Sequence, residues 1–191
     1  ANLAIVQHHL RQREFPRALQ VAQKVAAAHP EDARVVETLA RAQLAAGDSQ
    51  QAISALNKLA GLQPRSAQPW VMLADVQRSL KNNEAADQAL RRALGIAPDA
   101  VEAQQRLIAL LLEGGKRDDA LKVARDAQAR QPKRAAGYLL EGEIHGTASK
   151  WAEAAAAYRK ALDNGGDGQA AMRLHAALLR GGSGMSTYAE R

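Results

Sequence analysis

The stretch Ala67 to Ala100, AQPWVMLADVQRSLKNNEAADQALRRALGIAPDA, is 34 residues long and recurs along the chain. Prolines follow the same step of 34 residues, at Pro30, Pro64, Pro98 and Pro132. So do alanines, at Ala18, Ala52, Ala86, Ala120 and Ala154. Within each period the apolar residues recur at helical spacing, and a short turn separates two helical stretches. The period therefore predicts an array of helix–turn–helix repeats, each of which ends at or near a proline.

Seven residues of this stretch resemble the signature of the tetratricopeptide repeat in order and spacing: Trp70, Leu73, Ala74, Ala86, Leu90, Ala93 and Pro98. The resemblance implies an all-α fold, a right-handed α-solenoid of 34-residue helix–turn–helix repeats. It also implies that the protein binds a protein or peptide in a concave groove lined by the first helix of each pair.

The period divides the chain into one array of repeats: residues 1–32, 33–66, 67–100, 101–134, 135–168 and a partial repeat at 169–191. A glycine-rich turn, Asn164 to Gly168, replaces the expected proline turn. Met185 to Arg191 resembles the start of a helix without its partner, for which we expect disorder, or order that depends on crystal contacts. Because both chain ends fall inside repeats, we expect this array to be a piece of a longer chain.

Composition and motifs narrow the function classes. The net charge is +6, but acidic and basic residues are interspersed, so nucleic-acid binding is not indicated. No cysteine is present, which excludes disulfides and thiolate metal sites. No apolar run approaches the roughly 20 residues that span a bilayer. We find no phosphate-binding glycine loop, no His-Glu-x-x-His motif and no Gly-x-Ser-x-Gly elbow, so we predict no catalytic activity and no cofactor.

One set of residues departs from the apolar pattern of the repeat. Glu141 and His145 lie four residues apart and share a helix face. Glu141 occupies the position of Leu73 in the repeat quoted above, and His175 occupies that position one repeat later. Stacking of repeats would bring the three side chains together as a metal or proton site, or as the centre of an enzyme. The alternatives are a hydrogen-bonded polar patch and a local shift of helix register.

In the family, certain positions of each first helix face the groove. The residues of this chain that fall at those positions by repeat register are called the predicted groove positions. They are Gln7, Arg11, Arg34, Glu37, Arg41, Gln68, Val71, Asp75, Arg78, Glu102, Gln105, Leu139, Glu143 and Arg173, with Leu44, Ala109, Leu112, Ala177 and Arg180 beside them. Arginine forks bind carboxylates and phosphates, so direct binding of an anionic polysaccharide is the alternative to protein binding. A third interpretation is that these are ordinary solvated charges. The family's lysine–asparagine clamp for a terminal carboxylate is absent from this set.

Three segments resemble the later repeats of the tetratricopeptide lipoprotein of the PEP-CTERM/exosortase system. They are Gly137 to Ile144 (GYLLEGEI), Trp151 to Leu162 (WAEAAAAYRKAL) and Arg173 to Leu179 (RLHAALL). Those proteins accompany exopolysaccharide genes in Gram-negative bacteria. The resemblance implies a scaffold for exopolysaccharide or protein-sorting assembly in the bacterial envelope, periplasmic or associated with the outer membrane.

Overall fold

The computed structural model describes residues 2–182, and this part of the chain contains α-helices and no β-strand. The helices are α1 (Asn2–Arg11), α2 (Phe15–Ala28), α3 (Ala33–Ala45), α4 (Ser49–Leu62), α5 (Gln68–Ser79), α6 (Asn83–Ile96), α7 (Val101–Glu113), α8 (Arg117–Arg130), α9 (Ala135–Thr147), α10 (Trp151–Asp163) and α11 (Gly168–Arg180). The predicted helical start at Met185 to Arg191 lies outside the described residues. The all-α repeat fold is confirmed.

The chain forms two compact units. The N-terminal unit, residues 1–97, contains α1 to α6, and the C-terminal unit, residues 98–191, contains α7 to α11. The boundary between Ala97 and Pro98 lies at a predicted proline turn. Within each unit, consecutive helices pack against one another as helix pairs. No helix within residues 2–182 combines the length and the apolar character that a membrane span requires.

Prolines and left-handed turns explain where the helices end. The four recurrent prolines each follow, within two residues, the end of the second helix of a pair. Inside the pairs, the chain reverses through residues with positive φ, and these recur at the repeat period. They are Arg13, Gly47, Lys81, Gly115 and Ser149. Glycine adopts this left-handed conformation freely, whereas other residues adopt it at a cost.

Small residues at the repeat period form the core of the helix pairs. The five recurrent alanines, Ala18, Ala52, Ala86, Ala120 and Ala154, are all 0% exposed. Because an alanine side chain is a single methyl group, the two helices of a pair can approach closely there. Larger apolar side chains fill the rest, among them Leu56 and Leu59 in the N-terminal unit and Leu140 and Ile144 in the C-terminal unit.

The contact between α9 and α10 departs from this pattern, because a glycine faces an aromatic ring there. Gly142 lies so close to the Tyr158 ring that an added Cβ would be 2.4 Å from Cε1. Tyr158 is buried, and burial raises the pKa of its phenol, an effect that the Glu143 carboxylate increases and Arg173 opposes. The absence of a side chain at Gly142 thus makes room for a large aromatic ring.

Candidate partner-binding site

Most predicted groove positions of the N-terminal unit lie on its surface. Gln7, Arg11, Arg34, Arg41, Gln68, Asp75 and Arg78 are exposed, and Glu37 is half-buried. Val71 is 3% exposed and packs in the core, so it does not line an open surface. Its valine side chain falls on the apolar side of α5, where the repeat needs core volume rather than a contact for a partner.

Charges on this surface are partly paired within their own helix or turn. Arg41 donates two hydrogen bonds to Glu37 Oε1, from Nε at 3.0 Å and from Nη2 at 2.7 Å. Arg34 Nη2 lies 3.5 Å from Asp32 Oδ2, and the Arg34 side chain is 82% exposed. Exposed pairs of this kind contribute little stability, so their arginines remain accessible to an anionic ligand.

In the C-terminal unit the structure brings two predicted groove positions together. Glu143 on α9 accepts a hydrogen bond from Arg173 Nη1 on α11, although 30 residues separate them in the chain. Glu102 instead pairs within its own helix, with Arg106 Nη1 at 2.8 Å. Gln105 is exposed, and Leu139 is half-buried against the core cluster of α10 and α11. The Glu143–Arg173 pair therefore marks the place where neighbouring first helices share a surface.

A pocket of about 380 Å³ opens beside this ion pair, between α9, α10 and α11. Glu143, Arg173 and Arg180 form its polar part. Trp151 forms one wall, and the Arg180 guanidinium lies 5.1 Å from the centre of the Trp151 ring. Stacking of this kind fixes the arginine while its N–H groups stay available in the plane of the guanidinium.

Small residues create the space in this pocket. Gly146, Ala176 and Ala177 line it and leave space beside the Trp151 ring, and a Cβ at Gly146 would lie 3.7 Å from that ring and 4.0 Å from the hydroxyl of the buried Tyr158. At the repeat position of Gly146, the second and fourth repeats carry the larger Leu44 and Leu112. Gly146, Thr147, Trp151 and Ala176 are lining residues outside the predicted groove positions, and the glycine in place of leucine is the signal in the sequence that points to the pocket.

Models of one family match nearly the whole described chain. Three models, each described as a tetratricopeptide repeat, match residues 9–76, 67–100 and 106–182. The chain belongs to the tetratricopeptide repeat (TPR) proteins. TPR proteins are generally non-catalytic scaffolds for protein–protein interaction, and this chain has the corresponding repeat scaffold.

Solved TPR structures share the fold at low sequence identity. MamA is 22% identical, with a TM-score of 0.63 over 85% of this chain and 89% of that chain. TTC0263, a thermophilic TPR protein of Thermus thermophilus, is 22% identical, with a TM-score of 0.57 over 93% and 97%. YrrB, a TPR protein with an unusual peptide-binding site, is 19% identical, with a TM-score of 0.57 over 92% and 89%. A comparison with curated protein sequences gives no significant match.

The polar residue at a leucine position of this TPR protein, Glu141, faces the preceding helix. Its Oε2 accepts a hydrogen bond from Gln128 Nε2 at 2.7 Å, and its Oε1 accepts one from Arg125 Nε at 3.4 Å. Gln128 Nε2 also donates to the Gly137 carbonyl oxygen at 3.2 Å. This arrangement is the hydrogen-bonded polar patch, one of the alternatives that the sequence left open.

The predicted grouping of Glu141, His145 and His175 does not form. His145 Nε2 lies 4.0 Å from Glu141 Oε1, as the shared helix face predicts, but His175 is exposed on α11. Within residues 2–182 no set of three His, Cys, Asp or Glu side chains is placed to hold a metal ion. The grouping fails because the Glu141 carboxylate is directed towards α8, whose Arg125 and Gln128 side chains provide hydrogen-bond donors.

Proposed function

We propose that this TPR protein binds an extended segment of a partner protein, and that the pocket between α9, α10 and α11 holds a side chain of that segment. The observation that carries the proposal is the position of the pocket. It joins the predicted groove residues Glu143 and Arg173 to an apolar cavity of about 380 Å³. Apolar pockets with a few fixed polar groups are the usual form of a binding site.

The chemistry of the pocket supports a peptide with an apolar side chain beside a polar group. Trp151, Ala176 and Ala177 supply apolar walls, and burial of an apolar side chain against them is favourable. Arg180 stands at the rim as a donor for a carbonyl or carboxylate oxygen. A rigid aromatic wall and a stacked arginine are also the residue types that contribute most to binding energy at interfaces.

The broader context of the partner rests on the resemblance of the last repeats. Trp151 and Arg173 both belong to segments that resemble the PEP-CTERM/exosortase lipoprotein. We therefore propose a partner in the exopolysaccharide or protein-sorting apparatus of a Gram-negative envelope. That YrrB has a peptide-binding site supports a peptide ligand for the same type of repeat.

A pull-down from a Gram-negative envelope extract tests the proposal, with residues 1–191 as bait at low and moderate salt. We expect a protein that is retained at moderate salt and lost with Arg180→Glu or with the pocket-filling change Ala176→Phe. Arg159→Glu is the matched control, because Arg159 is exposed on α10 and lies outside the pocket. Variants that keep the circular dichroism spectrum of the parent are folded. If all of them retained the envelope protein as well as the parent does, the pocket would not be the binding site.

The arginines of the N-terminal unit favour a second candidate function, direct binding of an anionic polysaccharide. Its exposed predicted groove positions carry four arginines, Arg11, Arg34, Arg41 and Arg78, against one exposed acid, Asp75, and the half-buried Glu37. This function requires steep weakening by salt, because charge contacts at a surface are screened. Acidic polysaccharide that is released as salt rises, and that is lost in an Arg34→Glu/Arg41→Glu/Arg78→Glu variant, would favour it over protein binding.

A further inference from the structure

The N-terminal unit contains a second pocket, of about 250 Å³, at the junction of α4, α5 and α6. Two of these, α4 and α6, are second helices of their pairs, whereas the predicted groove positions lie on first helices. None of the residues that line it is a predicted groove position or lines the pocket between α9, α10 and α11, so it belongs to a surface that the proposed function does not use.

The spacing of residues on α5 separates this pocket from the groove. Trp70, Leu73 and Gln77 line the pocket and follow one helix face at steps of three and four residues. The predicted groove positions Gln68 and Asp75 follow another face of the same helix. The two sets of side chains point away from different sides of α5, so the pocket and the predicted groove positions form separate surfaces.

Arg92 is the charged group of this pocket, and it is held in place by an aromatic ring. Its guanidinium carbon lies 4.7 Å from the centre of the Trp70 ring. No acidic side chain within residues 2–182 forms an ion pair with Arg92, whereas its neighbour Arg91 bonds to Asp87 at 2.6 Å. A stacked guanidinium keeps its N–H groups in the plane, where they can bind a carboxylate with two hydrogen bonds.

The rest of the lining is amide and apolar, without a carboxylate. Asn57 and Gln88 provide carboxamides, each able to donate and accept hydrogen bonds. The half-buried Ile53 and Ala85 provide aliphatic surface next to them. A cation, amides and an aliphatic floor are complementary to a carboxylate, a peptide backbone and an apolar side chain.

We infer that this second-helix pocket binds an extended peptide in which an aspartate or glutamate is adjacent to an aliphatic residue. The aliphatic side chain packs on Ile53 and Ala85, the carboxylate binds Arg92, and the carboxamides bind the peptide backbone. A sugar ring is the weaker fit, because carbohydrates stack on an open aromatic face and Arg92 covers that face of Trp70. The pocket gives the scaffold a second attachment point in addition to the groove.

Fluorescence anisotropy with capped hexapeptides tests this inference. The probes are labelled peptides with a central Asp-Leu, the matched Asn-Leu series and an Asp-Ser series, each offered to the whole chain. We expect Asp-Leu to bind at least about tenfold more tightly than Asn-Leu, as hydrogen bonds to a charged group allow. Arg92→Gln should remove that preference, and the matched neighbour Arg91→Gln should retain it.

A second measurement reports on the pocket directly. The chain has two tryptophans, so Trp151→Phe leaves Trp70 as the only indole. Addition of the Asp-Leu peptide should then shift the emission of Trp70. An unchanged emission, equal binding of Asp-Leu and Asn-Leu, or binding of an oligouronate in place of the peptides would overturn the inference.

The anisotropy assay also distinguishes the Arg92 pocket from the pocket between α9, α10 and α11. Arg180→Glu, which tests the proposed function, should leave Asp-Leu binding within about twofold of the parent, a difference of about 0.4 kcal/mol. Loss of Asp-Leu binding in Arg180→Glu together with full binding in Arg92→Gln would place the peptide in the α9–α11 pocket and overturn the second site. Equal retention of envelope protein by the parent and by Arg180→Glu, together with Asp-Leu binding that depends on Arg92, would overturn only the proposed function.

Discussion

The junction of α4, α5 and α6 and the junction of α8, α9 and α10 occupy the same repeat positions, yet their chemistry differs. The corresponding residues are Trp70 and Tyr138, Leu73 and Glu141, Gln77 and His145, and Arg92 and Lys160. The first junction is an open pocket with a leucine in its lining. In the second, the carboxylate at the leucine position is hydrogen-bonded to the preceding helix.

The difference shows that the preceding helix decides which residues the repeat tolerates. Glu141 is accommodated because Gln128 and Arg125 of α8 provide donors at 2.7 Å and 3.4 Å. At the same repeat positions α4 carries Ala60 and Asn57, of which the alanine can donate no side-chain hydrogen bond. The repeat signature therefore specifies a volume at this position, and the neighbouring helix specifies its polarity.

The largest expected effect on stability comes from introducing a carboxylate at the junction of α4, α5 and α6, which is compared with removing the carboxylate from the junction of α8, α9 and α10. Leu73→Glu should destabilise the N-terminal unit by about 3 kcal/mol, because it replaces a packed leucine that is 4% exposed with a carboxylate that must lose its hydration, and α4 offers this carboxylate only the Asn57 carboxamide as a donor. The reverse change, Glu141→Leu, should cost only about 1 kcal/mol, since it removes hydrogen bonds from a partly exposed patch. Urea unfolding followed by circular dichroism measures both.

Adding Ala60→Gln to Leu73→Glu should recover part of the lost stability, because it supplies the donor that Gln128 provides in the C-terminal unit. Equal costs for Leu73→Glu and Glu141→Leu would contradict the idea that the preceding helix makes the difference.

The next effect concerns the packing of each pair. Gly142→Ala should cost about 1–3 kcal/mol, because its Cβ would overlap the Tyr158 ring and overpacked cores lose stability in this range. The N-terminal unit has Ala74 and Leu90 at the same positions. The double change Gly142→Ala/Tyr158→Leu should therefore be more stable than Gly142→Ala alone in thermal unfolding. A double variant no more stable than the single one would mean that these positions do not compensate each other.

Helix caps give a smaller contrast between the units. Asp32 accepts a hydrogen bond from the Arg34 backbone N–H at 2.9 Å and caps α3, whereas the corresponding Arg134 makes no side-chain cap for α9. Asp32→Ala should lower the free energy of unfolding by about 1 kcal/mol, and Arg134→Asp should raise it by about as much, because a side-chain N-cap typically contributes this amount to stability. Arg134→Ala is the control for the loss of the arginine, and it should show no gain in urea unfolding.

The Asp32 cap also predicts a pH dependence. The Arg34 backbone N–H lowers the pKa of the Asp32 carboxyl below its ordinary value. Its stabilisation is therefore complete above the ordinary carboxyl pKa and is lost as pH falls through the lowered pKa of the folded protein. Asp32→Asn keeps a cap but cannot ionise, so its unfolding free energy should fall less steeply with acid than that of the parent. If the unfolding free energies of the parent and of Asp32→Asn fell equally steeply with acid, this assignment would be contradicted.

The smallest expected effect lies in the turns between the helices of a pair. Lys81 has φ +62° and the corresponding Gly115 has φ +71°. Lys81→Gly should stabilise its pair by about 1 kcal/mol or less, since glycine avoids the cost of the left-handed conformation. Gly115→Ala should destabilise its own pair by a similar amount. Melting temperatures of the two variants should therefore move in opposite directions.

Much of the fold and less of the candidate site could be predicted. The helix ends two residues before Pro64 and Pro98, and the buried positions of Ala52 and Ala86, follow from a pattern that repeats along the chain. The predicted groove positions mark surfaces in each unit, but Val71 is buried. The pockets were not predicted, because each depends on side chains from three helices.

The sequence by itself determined the 34-residue period, the helix pairs and the alanine core, because helix propensity, turn geometry and periodic burial are local properties of the chain. Tertiary structure alone decided that Glu141 bonds to Gln128, that Glu143 meets Arg173, and that Gly146 leaves a pocket beside Trp151. These outcomes depend on the distances and side-chain volumes of residues on different helices, which the repeat period does not encode.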